Sequence, residues 1–115
     1  MKKLGLRLDT VTERAIHLKQ IRKSGLKIGD LVIVETLNSI YKIIVIGSDY
    51  YHVSGGWFDR KGFSPVKTTI RGCTWGGSII KIDIIAACGL HLEFGNRVIT
   101  TPIQKIVVIP GFGLN

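Results

Sequence analysis

After Gly29-Asp30 the chain becomes a succession of short Ile- and Val-rich runs with a period of two, each closed by turn residues. No other feature constrains the fold as much. Runs of this kind expose one face and bury the other as strands, and they are too short and too often interrupted to pack as long helices. Leu31–Leu37 and Ile40–Ile46 are separated by Asn38-Ser39, and Gly47-Ser48-Asp49 leads into a strand over Tyr50–Ser54. Residues 55–65 break the pattern and read as a long loop. Val66–Arg71 alternates again up to Gly72 and the Trp75-Gly76-Gly77 break. Ser78–Ile85 reads as one strand, with Ile80, Ile82 and Ile84 on one side and Lys81 and Asp83 on the other. His91–Phe94 and Arg97–Thr101 form a hairpin over Gly95-Asn96, Pro102 belongs at an edge or bulge, and Gln104–Ile109 is a last strand before a tail at 110–115.

The segment before these runs reads differently. Thr10 and Glu13 have capping-box spacing, Val11, Ala15, Leu18 and Ile21 recur at helical intervals, and Gly25 stands where a left-handed C-cap residue belongs. The expectation is a helix over 10–24, preceded by a basic arm at 1–9 and followed by a β-domain over 30–109. The fold class is therefore mainly β: one N-terminal helix and about seven short strands in an antiparallel barrel or sandwich. The element order over roughly residues 10–55 resembles that of Sm-like and SH3-like small barrels, a likeness that implies a strongly bent, closed sheet. Such barrels carry many functions.

At 115 residues the chain suits one domain, and 45% hydrophobic residues argue against intrinsic disorder. No apolar run approaches the roughly 18 residues that span a bilayer, and no apolar stretch follows Met1-Lys2-Lys3 as a signal peptide requires. Two cysteines, Cys73 and Cys88, are too few for a disulfide scaffold, so a cytoplasmic protein with reduced thiols is expected.

Charge supplies the functional lead. The net charge is +8, and residues 1–27 carry eight basic residues against two acidic, a balance of +6. Arg14, Lys19, Arg22 and Lys23 would lie on the expected helix, where they could meet phosphates. A second signal is Gly55-Gly56-Trp57-Phe58-Asp59-Arg60-Lys61-Gly62-Phe63, which combines aromatic faces, cations and glycines as single-stranded nucleic acid requires. Trp57, Phe58, Arg60 and Lys61 are the candidates there, and Trp75 and Arg71 would extend the surface. Lys67, Thr69 and Arg71 alternate onto one face of their strand, which would form a phosphate-binding strip. The same aromatics would equally serve to plug the barrel, and the Lys-Thr-Arg ladder to guard an edge.

The expected function is non-catalytic nucleic-acid binding, with a protein-interaction or assembly module as the alternative. The aliphatic surface of Ile79–Ala87 and Ile103–Ile109 suggests a homo-oligomer. A third reading is a metal- or ligand-dependent enzyme built on Cys88 and His91, with His52 and Cys73. Cys88-Gly89-Leu90-His91 supplies a two-ligand spacing but no second knuckle, and a Cys–His pair would need an orienting carboxylate such as Asp83 or Glu93. No cofactor or metal site follows from the sequence, and no phosphate-loop glycine pattern is present.

Overall fold

The computed structural model describes residues 15–75 and 80–114. Eleven short strands run through them: β1 (Ile16–Leu18), β2 (Gln20–Arg22), β3 (Leu31–Thr36), β4 (Ile40–Gly47), β5 (Tyr50–Gly55), β6 (Val66–Thr68), β7 (Ile70–Thr74), β8 (Ile80–Lys81), β9 (Ile84–Ala87), β10 (His91–Phe94) and β11 (Ile103–Ile109). One short helix, α1 (Gly56–Arg60), follows β5, and single 3-10 turns occupy Lys23–Gly25 and Phe112–Leu114. The strands form a six-stranded sheet in the order β1-β11-β3-β4-β5-β6, a three-stranded sheet β10-β7-β8 and a pair β2-β9. Every pairing is antiparallel.

The mainly β class stands, but three expectations are corrected. First, the sheets do not close into a barrel: β1 and β6 are the two ends of the six-stranded sheet. Closure fails because the chain changes sheets at Thr69. The Val66–Arg71 run splits there into β6, which pairs with β5, and β7, which pairs with β10. The Gly95 N–H donates to the Thr69 carbonyl at 2.8 Å, and a Cβ at Gly95 would collide with the Thr69 hydroxyl. Second, residues 16–24 of the expected helix fall in two strands and a 3-10 turn that ends at Gly25; residues 10–14, like the arm at 1–9, lie outside the described residues. Tertiary pairing overrides the weak helical stripe. Ile16 and Leu18 align with Val108 and Ile106 of β11, and Gln20 and Ile21 with Ala87 and Ala86 of β9. Each of these aliphatic strands gains a hydrogen-bonded neighbour that a helix could not supply. Ser78–Ile85 likewise is not one strand, because a turn at Ile82-Asp83 separates β8 from β9.

The period of two sorts the six-stranded sheet into two faces. Val32, Ile43, Val53 and Val66 form one inner row with Ile16 and Val108, and Val34 and Tyr41 form the next with Leu18 and Ile106. This face packs on β7, β9 and β10 in a core that contains Ile70, Cys73, Ile85, Leu92 and Phe94. Phe58 of α1 is fully buried at its centre. Its ring meets Phe94 edge-on with centroids 4.9 Å apart and Tyr41 at 6.1 Å.

The approach to α1 depends on glycine. Gly55 and Gly56 have φ of 94° and 45°, and side chains there would strike the Ile40 carbonyl and the Tyr41 ring. With Gly55 N–H bonded to Asp59 Oδ1 at 2.9 Å, the turn is held tightly enough to drive Phe58 inward. Phe58→Ala is expected to cost about 3–5 kcal/mol in a urea unfolding measurement. Phe63→Ala, at an exposed ring of the same loop, should cost under about 1 kcal/mol.

Candidate binding face

The outer face of the six-stranded sheet is composed differently from the inner one. One of its rows reads His17, Val107, Ile33, Lys42 and Ser54 across β1, β11, β3, β4 and β5. The next reads Ile109, Leu31, Ile44, His52 and Lys67 across β11, β3, β4, β5 and β6. Neither row contains a carboxylate. Glu35, in the flanking row, faces Lys105 across the β3–β11 ladder. Lys67 places its ammonium 4.8 Å from the centroid of the exposed Tyr50 ring, a cation–π contact on this surface.

A groove of about 470 Å³ opens between the rows. Its floor is Leu31, Ile33, Ile44 and Ile109, its polar side is Lys42, His52 and Ser54, and Pro65 and Phe112 complete its lining. The segment at 110–114 is therefore part of the domain and not a free tail. Gly111 N–H donates to Asp30 Oδ1 at 3.0 Å, and Gly113 N–H to the Gly29 carbonyl at 2.7 Å. Asp30 is buried and also accepts from Lys27 N–H at 2.9 Å, while its carbonyl accepts from Val45 N–H. One carboxylate thus clamps the loop before β3 and the strap that carries Phe112.

The cations expected from the sequence do not gather on one surface. Arg14 lies outside the described residues. Lys19 is exposed at the β1–β2 junction, away from a helix. Arg22 pairs with Asp83 at 2.9 Å, Lys23 pairs with Asp49 at 3.0 Å and also donates to the Ile70 carbonyl, and Arg71 pairs with the buried Glu93 at 3.2 Å. These three positive charges are locally neutralised. The Lys67-Thr69-Arg71 strip is divided, since Lys67 joins the six-stranded sheet and Arg71 the three-stranded one.

The aromatic loop is mostly core. Phe58 is buried, and Trp57 is half-buried, edge-on to Phe58 at 5.3 Å and tilted against Phe63 at 5.7 Å. Arg60 donates to Ser39 Oγ at 3.0 Å, which ties α1 to the β3–β4 turn, and Lys61 is solvated. Asp59 is held below the usual carboxylate range by its hydrogen bonds from Ser64 and the Gly55 N–H, with a smaller contribution from the Lys42 ammonium. Trp75 is 61% exposed at the far end of β7, with Lys81 4.7 Å above its ring.

The sulfur and imidazole groups do not converge either. His52 stands on the outer face. His91 Nδ1 lies 2.7 Å from the Thr100 carbonyl, which can only accept, so Nδ1 carries the proton. Cys88 is half-buried and its Sγ donates to the Gln104 carbonyl at 3.7 Å. Cys73 is sealed in the core, where burial pushes its thiol up to about 11 from an ordinary value near 9. Among the described residues no three His, Cys, Asp or Glu side chains form a group that could hold a metal ion.

Lys42 and Phe112 are what the sequence reading missed on this face, and His52 was named only for metal binding or catalysis. Their signal was the alternation within β4 and β5, which set Lys42 and His52 opposite the core positions Ile43 and Val53. No protein-family model, curated protein or solved structure matches the chain. Among the described residues no helix is long and apolar enough to cross a membrane.

Two outcomes follow from this geometry. Asp30→Ala leaves two backbone N–H groups without their partner and should destabilise the fold by about 1–3 kcal/mol. Amide exchange at Gly111 and Gly113 should rise with it, read by hydrogen-exchange NMR. The Cys73 thiol is favoured in its protonated form by folding. Its contribution is full below pH 9 and is lost as pH rises toward 11, about 2 kcal/mol across that window. Tyr51 adds to the same trend, because burial first and Asp49 second raise its phenol. Urea midpoints measured at pH 8 and pH 10.5 should therefore differ, and Cys73→Ala should flatten the difference.

Proposed function

We propose that this chain is a non-catalytic module for single-stranded nucleic acid, and that its contact surface is the outer face of the six-stranded sheet. The observation that carries the reading is the pair of outer rows: Lys42 and Lys67 with His17 and His52, no carboxylate, and aliphatic ground between them. Lysines on such a face attract phosphates, and apolar ground with Tyr50 and Phe112 beside it offers contact to bases. The remaining charge supports the choice. Arg22, Lys23 and Arg71 are each held by a carboxylate elsewhere, whereas Lys42 and Lys67 make no ion pair of salt-bridge length among the described residues. Lys19 and Lys61, both exposed, add to the net charge of +8 that favours encounter with a polyanion.

A second reading, a protein-interaction or self-assembly module, is favoured by a different place. Leu37 and Ile40 are exposed beside the β3–β4 turn, which Arg60 ties to α1, and exposed Phe63 follows α1. Light scattering at high protein concentration tests the self-assembly part of this reading, which requires a defined oligomer; a strict monomer ends that part.

The first reading is tested by fluorescence anisotropy of a labelled single-stranded oligonucleotide across a salt series. Affinity should fall steeply with salt. The double variant Lys42→Gln/Lys67→Gln should reduce the log–log slope by about 1.4, since each single-strand phosphate contact contributes roughly 0.7. Absence of binding at low salt, or a slope unchanged by the double variant, contradicts it.

A further inference from the structure

We infer that the groove beneath Phe112 seats one unpaired base of the bound strand, with Lys42 at its rim and Lys67 beyond its His52 side meeting adjacent phosphates; this rests on the nucleic-acid reading above. The groove has the composition such a seat requires. An unstacked base is held between apolar or aromatic side chains and is read through hydrogen bonds at its edge. Leu31, Ile33, Ile44 and Ile109 provide the apolar floor, and Phe112 the opposing ring. The Ser54 hydroxyl and the His52 imidazole stand along one side, where each can donate or accept at a base edge. A volume of about 470 Å³ falls within the span of small-molecule sites, roughly 300–1,000 Å³.

The nearby charges lie toward one side of the groove, on β4 and β6. Lys42 is on β4 and Lys67 on β6, so two strand spacings, about 10 Å, separate them across the sheet. His52 stands between them, on β5 and directly opposite Lys67. A strand laid from β6 across β5 to β4 would carry its phosphates past the two lysines and turn its next base down over the floor on β4, β3 and β11.

The seat is also fixed in advance. Phe112 rides on a strap whose two N–H groups, from Gly111 and Gly113, are bonded to Asp30 and Gly29. Gly113 is close to Ile44, where a Cβ would lie 3.2 Å from Ile44 Cγ2, so the strap rests directly on the sheet. A ring held this way loses little freedom on binding.

The test uses the full chain and three probes matched in number of phosphates: an oligothymidylate, an oligonucleotide of the same length with abasic sites throughout, and inorganic polyphosphate. The intact oligonucleotide should bind about tenfold tighter than the abasic one, with the same salt slope, because the base contributes stacking and not charge. Phe112→Ala, checked for folding by its thermal melt, should erase most of that tenfold difference and leave abasic binding unchanged. Equal affinity for intact and abasic strands in the wild-type protein overturns the base seat while leaving the nucleic-acid reading in place. If no probe binds at low salt, both fall. If polyphosphate, the abasic strand and the oligothymidylate all bind equally tightly, the surface is a polyanion site and the seat is again overturned.

Discussion

The structure depends on burying one face, and only one, of a six-stranded antiparallel sheet. Strand geometry sends alternate side chains to opposite sides, so whatever fixes the register of β3, β4 and β5 decides both the core and the exposed surface together. Phe58 secures the buried side. It reaches the centre of the core from a five-residue helix and touches both Tyr41 of the large sheet and Phe94 of the small one. A fully buried aromatic ring of this kind contributes about 1.5–3 kcal/mol by transfer alone. With the inner rows committed, Lys42, His52 and Lys67 have only the outer face to occupy.

Asp30 has the corresponding role on the other side. Its carboxylate joins the loop before β3 to the strap after β11, two segments distant in sequence. That bond brings the last residues of the domain over the sheet and turns a flat surface into a groove. The sheet that must be hidden on one side for stability is thus partly covered on the other, and the covering strap carries Phe112, the one phenyl ring among the described residues that line the groove.

Much of this was legible in the sequence, and the exceptions have physical causes. The period of two over Leu31–Leu37, Ile40–Ile46 and Tyr50–Ser54, with turn residues between, locates β3, β4 and β5 closely, because local pattern and final burial agree there. The N-terminal segment misleads because β1 and β2 are three residues each and exist through their pairing with β11 and β9, which no local pattern announces. Trp57 and Phe58 look alike as neighbours in a glycine-rich loop, yet only the one-turn helix built on Gly55-Gly56 decides that Phe58 points inward. The ion pairs of Arg22 and Lys23, like that of Arg71, join residues far apart along the chain, so a count of charge along residues 1–27 overstates what Arg22 and Lys23 offer a ligand. The outer-face residues were visible as alternation, but their assembly into rows required the cross-strand register.

The central claim is that the two faces of this sheet divide the labour, the inner one holding the fold and the outer one meeting the ligand. Amide and side-chain chemical-shift mapping by NMR, with a single-stranded oligonucleotide added at low salt, tests it most directly. The account predicts shifts concentrated at Lys42, His52, Ser54, Lys67 and the strap at Gly111–Gly113, with Trp57, Phe63 and Trp75 largely undisturbed. Shifts centred on Trp57–Phe63 or on Trp75, with the outer rows silent, would contradict it.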